Sequence, residues 1–212
     1  YEACQMGTLE VAYGTSSVLA NFDSKLKVLD LPFLFENEDA ARKAVNGKLG
    51  DAAAEGLEDI GLVKLTYLEN GMRMITNSAR PINTPDDLKG LKIRTMENDI
   101  HMKAFELLGA SPTPMAFTEL FTALQQKTVD AQENPIFLIQ TSRFDEVQKY
   151  LSLTGHLYTS GVVTINKQLY DSLPEDLQKV LMDAADVARE YQYEHCDKQN
   201  AEALEYLKTK ME

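Results

Sequence analysis

The sequence has no tryptophan, two cysteines and three histidines, and its 21 basic residues fall far short of its 33 acidic ones. Each shortage closes off a class of function. A formal net charge of −12 leaves no basic surface to neutralise phosphates, which argues against nucleic acid as a partner. The same excess disfavours docking on anionic lipid. It leaves room for a small anionic ligand, because a few arginines in a closed site outweigh distant surface charge. Cys4 and Cys196 lie near opposite ends and neither belongs to a CxxC pair, so zinc-ribbon and thioredoxin chemistry is excluded. Two separate buried thiols are expected, with a disulfide between them as the alternative in an oxidising compartment. His101, His156 and His195 form no HxxxH pair, so neither a catalytic metal nor a cofactor is expected. There is no GxSxG elbow, no GxGxxG after a strand and no GxxxxGK[ST] loop. The acids mostly fall in first turns of helices, where they complement the dipole. Catalysis is not expected. No apolar run reaches the length of a membrane span; the most apolar short piece, Val28 to Phe35, is interrupted by Asp30 and Pro32. No basic start followed by an apolar stretch marks a secretory signal at Tyr1, and a chain without an initiator methionine reads as processed or cut down.

What remains is ordinary globular composition, 44% hydrophobic and 25% charged over 212 residues, enough for one large domain or two small lobes. Strand and helix patterns alternate. Strands are predicted at Leu9 to Tyr13, Leu62 to Leu68, Met72 to Thr76, Leu91 to Thr95, Val129 to Glu133, Tyr150 to Leu157 and Val162 to Ile165. Asn37 is a predicted N-cap for a helix to Val45, and a second helix should cover Leu49 to Ile60. Thr84-Pro85-Asp86-Asp87 reads as a helix start. Asn98-Asp99 should open a helix with the stripe Ile100, Ala104, Leu107 and Leu108, stopped at Gly109. Ala110 to Met115 should be extended, and Thr118 to Gln126 helical. Asn134 is read as an N-cap before Pro135 at a further helix start. From Pro174 onward one long helix is predicted, with Leu177, Val180, Leu181, Ala184, Val187 or Ala188, and Tyr191 on its apolar stripe. The alternation predicts an α/β fold with a buried sheet. No flexible tether interrupts it, so two lobes would be joined by crossing strands.

Arg94 stands out on residues alone. It lies near the end of a predicted strand, and strand ends in open α/β sheets face the ligand crevice. Its guanidinium offers paired N–H donors that match a carboxylate. A structural salt bridge at the strand end would account for it equally well.

One ordered series of words is more specific. It runs V-L-D-L-P-F-L-F at Val28 to Phe35, N-G-M-R at Asn70 to Arg73, and R-P-I-N-T-P-D-D-L-K-G-L-K-I-R-T-M at Arg80 to Met96. It continues with G-A-S-P-T-P-M-A-F-T-E-L-F-T-A-L-Q at Gly109 to Gln125, V-D-A-Q-E-N-P at Val129 to Pro135, F-D-E-V-Q-K-Y-L at Phe144 to Leu151, T-G-H at Thr154 to His156 and L-P-E-D-L-Q-K-V at Leu173 to Val180. Over nearly the whole chain this resembles the solute-binding subunits of tripartite ATP-independent periplasmic (TRAP) transporters, the DctP-type family. The resemblance implies a two-lobed, periplasmic-binding-protein-like fold with a ligand cleft, and a long C-terminal helix spanning both lobes. Residues 1–70 plus 159–212 would form lobe I and the bridging helix, and residues 71–158 lobe II. It also implies that both ends of the family sequence are absent here.

The function implied is extracytoplasmic capture of a small carboxylate-bearing anion by arginine pairing and lobe closure. The ligand would be a C4-dicarboxylate, 2-oxo acid, sugar acid or sialic acid, delivered by a monomer to TRAP membrane subunits. A module of the same fold feeding a signalling receptor is the alternative. The ligand-binding residues implied are Arg94 on the carboxylate, Arg73 as a second anion contact, Asn134 as a hydrogen-bonding partner and Phe117 as an aromatic wall. Met96, two residues beyond Arg94, and Thr15, in the turn after the first strand, complete the set. His156 is expected to be structural.

Overall fold

The computed structural model describes residues 1–212 throughout. Six strands form: β1 (Val11–Thr15), β2 (Leu62–Asn77), β3 (Lys92–Thr95), β4 (Ser111–Pro114), β5 (Ala131–Pro135) and β6 (Tyr150–Asn166), hydrogen-bonded in the order β1-β6-β2-β5-β3-β4. The helices are α1 (Glu2–Gln5), α2 (Ser16–Leu19), α3 (Glu38–Val45), α4 (Lys48–Ala54), α5 (Asp99–Leu107), α6 (Phe117–Gln125), α7 (Ile136–Thr141), α8 (Lys167–Ser172) and α9 (Glu175–Lys208). No helix is long and apolar enough to cross a membrane.

The chain divides into two compact units. Unit 1 comprises Tyr1–Asp30, Phe35–Gly71 and Thr159–Cys196, and unit 2 comprises Leu31–Leu34, Met72–Tyr158 and Asp197–Glu212. The chain therefore passes from unit 1 to unit 2 within β2, returns within β6 and enters unit 2 again within α9. Leu31–Leu34, expected in the first lobe, and Asp197–Glu212, expected at the end of the chain's bridging helix, pack in unit 2. The last segment does so because Ala203, Leu207 and Met211 join Leu120, Leu124, Ile139 and Phe144 in one apolar cluster.

In unit 2, β3 lies parallel to both β4 and β5, and β5 runs antiparallel to β2. Ile75, Ile93 and Ala131 from three of these strands meet Leu88, Leu91, Phe105 and Ala110 in a second apolar cluster. Local chemistry sets the helix starts. Asn98 accepts from the amides of Ile100 (3.0 Å) and His101 (3.1 Å) at the head of α5, and Gly109 supplies the left-handed residue beyond its end. Thr84 and Asp87 form the reciprocal capping box of a single 3₁₀ turn, Pro85–Leu88. In unit 1, Asn37 accepts from the Ala40 amide at 2.9 Å to start α3, and β1 pairs antiparallel with β6. There α9 packs Leu181, Met182 and Ala185 against Val63, Leu65 and Ile165. Cys4 and Cys196 are both buried thiols, not joined in a disulfide.

Several sequence expectations are corrected. The paired strands read either side of Asn70-Gly71 are one strand of 16 residues, because Gly71 takes up φ +116° without breaking the ladder. Likewise the strands expected over Tyr150 to Leu157 and Val162 to Ile165 are one strand, β6, of 17 residues. The helix expected over Leu49 to Ile60 stops at Ala54 and is followed by a short 3₁₀ turn. Two apolar stripes were read one position out of phase. On α5 the buried residues are His101 and Phe105, while Leu107 is 76% exposed. On α9 the exposed residues include Leu177, Val180, Val187 and Tyr191. In both helices adjacent stripes offer competing apolar faces, and tertiary contacts choose between them.

Unit 1 contains one close backbone approach. A Cβ at Gly50 would lie 1.8 Å from the Val45 carbonyl oxygen and 2.9 Å from the ring of Tyr67. The buried Tyr67 hydroxyl donates to the Gly50 carbonyl at 2.8 Å. Gly50→Ala is therefore expected to lower stability by about 1–3 kcal/mol through overpacking. Urea unfolding would show this as a fall in the midpoint at constant slope; an unchanged midpoint would contradict the approach.

Candidate functional site

Most of the charged and polar residues singled out in the sequence come together in unit 2, around the strand ends of β3 and β5 and the middle of β2. Arg94 lies on β3 and is only 2% exposed. Its Nε and Nη2 both donate to the Met115 carbonyl, at 2.9 and 2.6 Å. Its Nη1 is buried with no hydrogen-bond partner, and no carboxylate pairs with it. Burial pushes its pKa down to about 10, and the neighbouring charge of Arg73 works in the same direction against the opposing pull of Glu133 and Glu97. The group stays protonated at neutral pH. It is thus a buried cation held by a neutral carbonyl, with one donor atom unused.

Arg73, on β2, is 0% exposed and is ion-paired with Glu133 on β5, which is also 0% exposed. Its Nη2 also donates to Glu133 Oε1 at 2.9 Å and to Asn134 Oδ1 at 3.2 Å. Burial alone would raise the Glu133 pKa. The charge of Arg73, with polar contacts from His156 and Arg73, outweighs burial and holds the carboxyl well below the usual range. His156 Nε2 lies 3.3 Å from Glu133 Oε2 but off the hydrogen-bonding line. Its Nδ1 is 2.8 Å from Thr154 Oγ1, and its ring meets Phe105 edge-on. Two carboxylates act on the Arg94 charge: Glu133, which is ion-paired with Arg73, and Glu97.

Phe117 opens α6 and stays 44% exposed. The Arg94 guanidinium carbon lies 6.0 Å from its ring centroid, and Phe144 backs the ring edge-on at 6.1 Å. Met96 is buried at 6% exposure. Thr15 lies in unit 1, at the end of β1. Asn134 corrects the sequence reading. It is a residue of β5, and Pro135 holds the N-cap position of α7. Its side chain caps nothing, because it is committed to Arg73 and to Gln132 Oε1, the latter at 2.6 Å.

The sequence reading passed over Glu133 and the Met115 carbonyl. Glu133 had a signal: an acid on a strand predicted to be buried needs a cationic partner. The carbonyl had none, since backbone direction at Met115 is not written in side-chain pattern.

Removing the one carboxylate exposes its weight. Glu133→Gln leaves Arg73 buried without its counter-charge, a loss of about 3–5 kcal/mol. Because the Glu133 pKa is depressed in the folded state, its contribution is full above the ordinary glutamate value of about 4.3 and fades as pH falls below it toward the depressed value. The stability gap between the native protein and Glu133→Gln should therefore narrow from neutral pH into acid in urea unfolding. A gap independent of pH would contradict the assignment.

Comparison with known proteins fits this geometry. The family model DctP, bacterial extracellular solute-binding protein, family 7, matches residues 1–212. The Escherichia coli (strain K12) 2,3-diketo-L-gulonate-binding periplasmic protein YiaO is 44% identical over 186 residues, covering 88% of this chain and 57% of the relative. A crystal structure of a TRAP periplasmic solute binding protein from Polaromonas sp. JS666, bound to D-erythronate, superposes with a TM-score of 0.96 at 43% identity, covering 100% of this chain and 70% of that one. The sugar acid binding protein DctPAm from Advenella mimigardefordensis, in complex with galactonate, gives a TM-score of 0.94 at 42% identity, with coverages of 98% and 67%. The chain spans less than two thirds of the length of the curated relatives it matches. It belongs to the DctP family of bacterial extracellular solute-binding proteins.

Proposed function

We propose that this chain is the ligand-capturing part of a TRAP transporter's extracytoplasmic receptor, and that it binds a small sugar acid by pairing the ligand carboxylate with Arg94. The observation that carries the reading is a buried guanidinium whose hydrogen bonds go to a neutral carbonyl and whose Nη1 is unpartnered. A charge so desolvated is costly unless paired, and a carboxylate accepting from Arg94 supplies the missing partner. Phe117 offers an exposed face beside it, suited to the apolar edge of a carbon chain. Arg73 and Asn134 would contribute from the adjoining strands, Arg73 sharing its donors between Glu133 and the ligand, with Met96 and Thr15 as further contacts.

Three relatives at 42–44% identity favour the sugar-acid class over C4-dicarboxylates and sialic acids. One is named for 2,3-diketo-L-gulonate binding, one was solved with D-erythronate and one with galactonate. Delivery to TRAP membrane subunits and closure of the two lobes on the ligand belong to the same proposal. So does a binding rather than catalytic role.

Arg94→Ala should weaken affinity for D-erythronate or D-galactonate at least about tenfold, the scale of one lost charge-assisted interaction. The melting temperature of the free protein should hardly change, because the side chain's two bonds to the Met115 carbonyl are offset by its desolvation. Calorimetric titration and thermal unfolding together test this. A large melting loss with intact affinity would assign Arg94 a structural role instead.

The pH dependence has a definite sign. The carboxylate binds the protonated guanidinium, so affinity should be flat through neutral pH and fall as pH rises through about 10. An affinity insensitive to alkaline pH up to the onset of unfolding would count against Arg94 as the anion partner.

A further inference from the structure

A second feature of unit 2 has a direction built into it. From the Arg73–Glu133 pair a row of buried polar side chains runs through β5 and β2 to Gln148, two residues before β6. Arg73 Nη2 donates to Asn134 Oδ1 at 3.2 Å, and Asn134 Nδ2 donates to Gln132 Oε1 at 2.6 Å. Gln132 Nε2 donates to Thr76 Oγ1 at 2.8 Å, and Thr76 Oγ1 donates to Gln148 Oε1 at 3.1 Å. Gln148 Nε2 then donates to Ser78 Oγ at 3.0 Å, with the carbonyls of Val147 (3.2 Å) and Asp130 (3.4 Å) beside it. Arg73, Thr76 and Gln132 are 0% exposed, Asn134 3% and Gln148 4%.

The polarity of this row is fixed from both ends. Arg73 can only donate. At the far end the backbone carbonyls can only accept, and the Ser78 hydroxyl proton is committed to the Val147 carbonyl at 3.0 Å. Gln148 must therefore turn its amide nitrogen outward and its oxygen inward. The Thr76 hydroxyl must then donate to Gln148 and accept from Gln132, and Gln132 must accept from Asn134. Both ends demand the same orientation at every link, and aligned hydrogen bonds reinforce one another.

We propose that Thr76, Gln132 and Gln148 are positioning residues for the anion site: their relay locks the Asn134 amide with its oxygen on Arg73 and leaves its second N–H as a donor for the ligand. Arg73, which can only donate, sets the Asn134 oxygen toward itself, and the relay holds the amide in that orientation from its nitrogen end. The proposal rests on the anion-binding reading given above, and its test separates the two.

Thr76→Val removes the hydroxyl at constant shape, and Thr76→Ser restores it. Gln148→Met, at the other end of the row, is a second variant acting in the same direction. Two readouts apply: proton exchange of the Asn134 side-chain amide by NMR in the ligand-free protein, and calorimetric affinity for D-erythronate. Thr76→Val should speed the exchange about five- to tenfold and weaken D-erythronate about three- to tenfold, the scale of one net hydrogen bond. Thr76→Ser should recover both. In an Asn134→Ala background Thr76→Val should cost no further affinity. Unchanged exchange overturns the relay, and so does an equal affinity loss in both backgrounds, which would mean general loosening. If D-erythronate fails to bind the native protein, the ligand reading for that acid falls and the exchange measurement alone decides the relay.

Discussion

A guanidinium buried without a counter-ion is the constraint around which unit 2 is arranged. Arg94 is placed on β3, between two parallel neighbours, and its only protein partner is the Met115 carbonyl. A carbonyl dipole orients a cation but does not neutralise it. Glu133 is ion-paired with Arg73, and at Arg94 the pull of Glu133 and Glu97 opposes the repulsion of Arg73. Burial nonetheless outweighs both carboxylates and leaves the Arg94 guanidinium below its ordinary pKa.

The surroundings make that charge usable. Glu133 keeps Arg73 from moving, and His156 and Thr154 stand behind Glu133. Phe144 backs Phe117, so the ring that faces Arg94 is itself held. Two apolar clusters anchor the strands that carry these groups. The polar row through Asn134, Gln132 and Thr76 continues the same logic, since a donor aimed at a ligand works best when its own orientation costs nothing at binding.

Much of this was legible in the sequence, and what was not has physical reasons. Caps were readable because they are local: Asn37, Asn98 and the Thr84 to Asp87 box all act within four residues. Arg94 and Arg73 were identifiable from the G-L-K-I-R and N-G-M-R words, and the strand end explains why Arg94 is where it is. The gaps left between Leu68 and Met72 and between Leu157 and Val162 do not exist, because β2 and β6 run on through the residues between them, with Gly71 absorbing a positive φ inside β2. The stripes of α5 and α9 failed because which of two adjacent faces is buried depends on partners distant in sequence. Asn134-Pro135 was read as a cap because that dipeptide commonly is one. Its side chain is captured instead by Arg73 and Gln132, partners 61 and 2 residues away. Neither the Met115 carbonyl nor the polarity of the relay leaves any trace in residue pattern.

The most direct test of the account observes Arg94 itself. In protein labelled with nitrogen-15 at arginine, the side-chain protons of Arg94 can be followed by NMR while D-erythronate or D-galactonate is added. If the buried guanidinium is the carboxylate's partner, its Nη resonances will shift and their exchange with water will slow as the acid saturates. Saturable binding that leaves the Arg94 resonances and their exchange unchanged would contradict it.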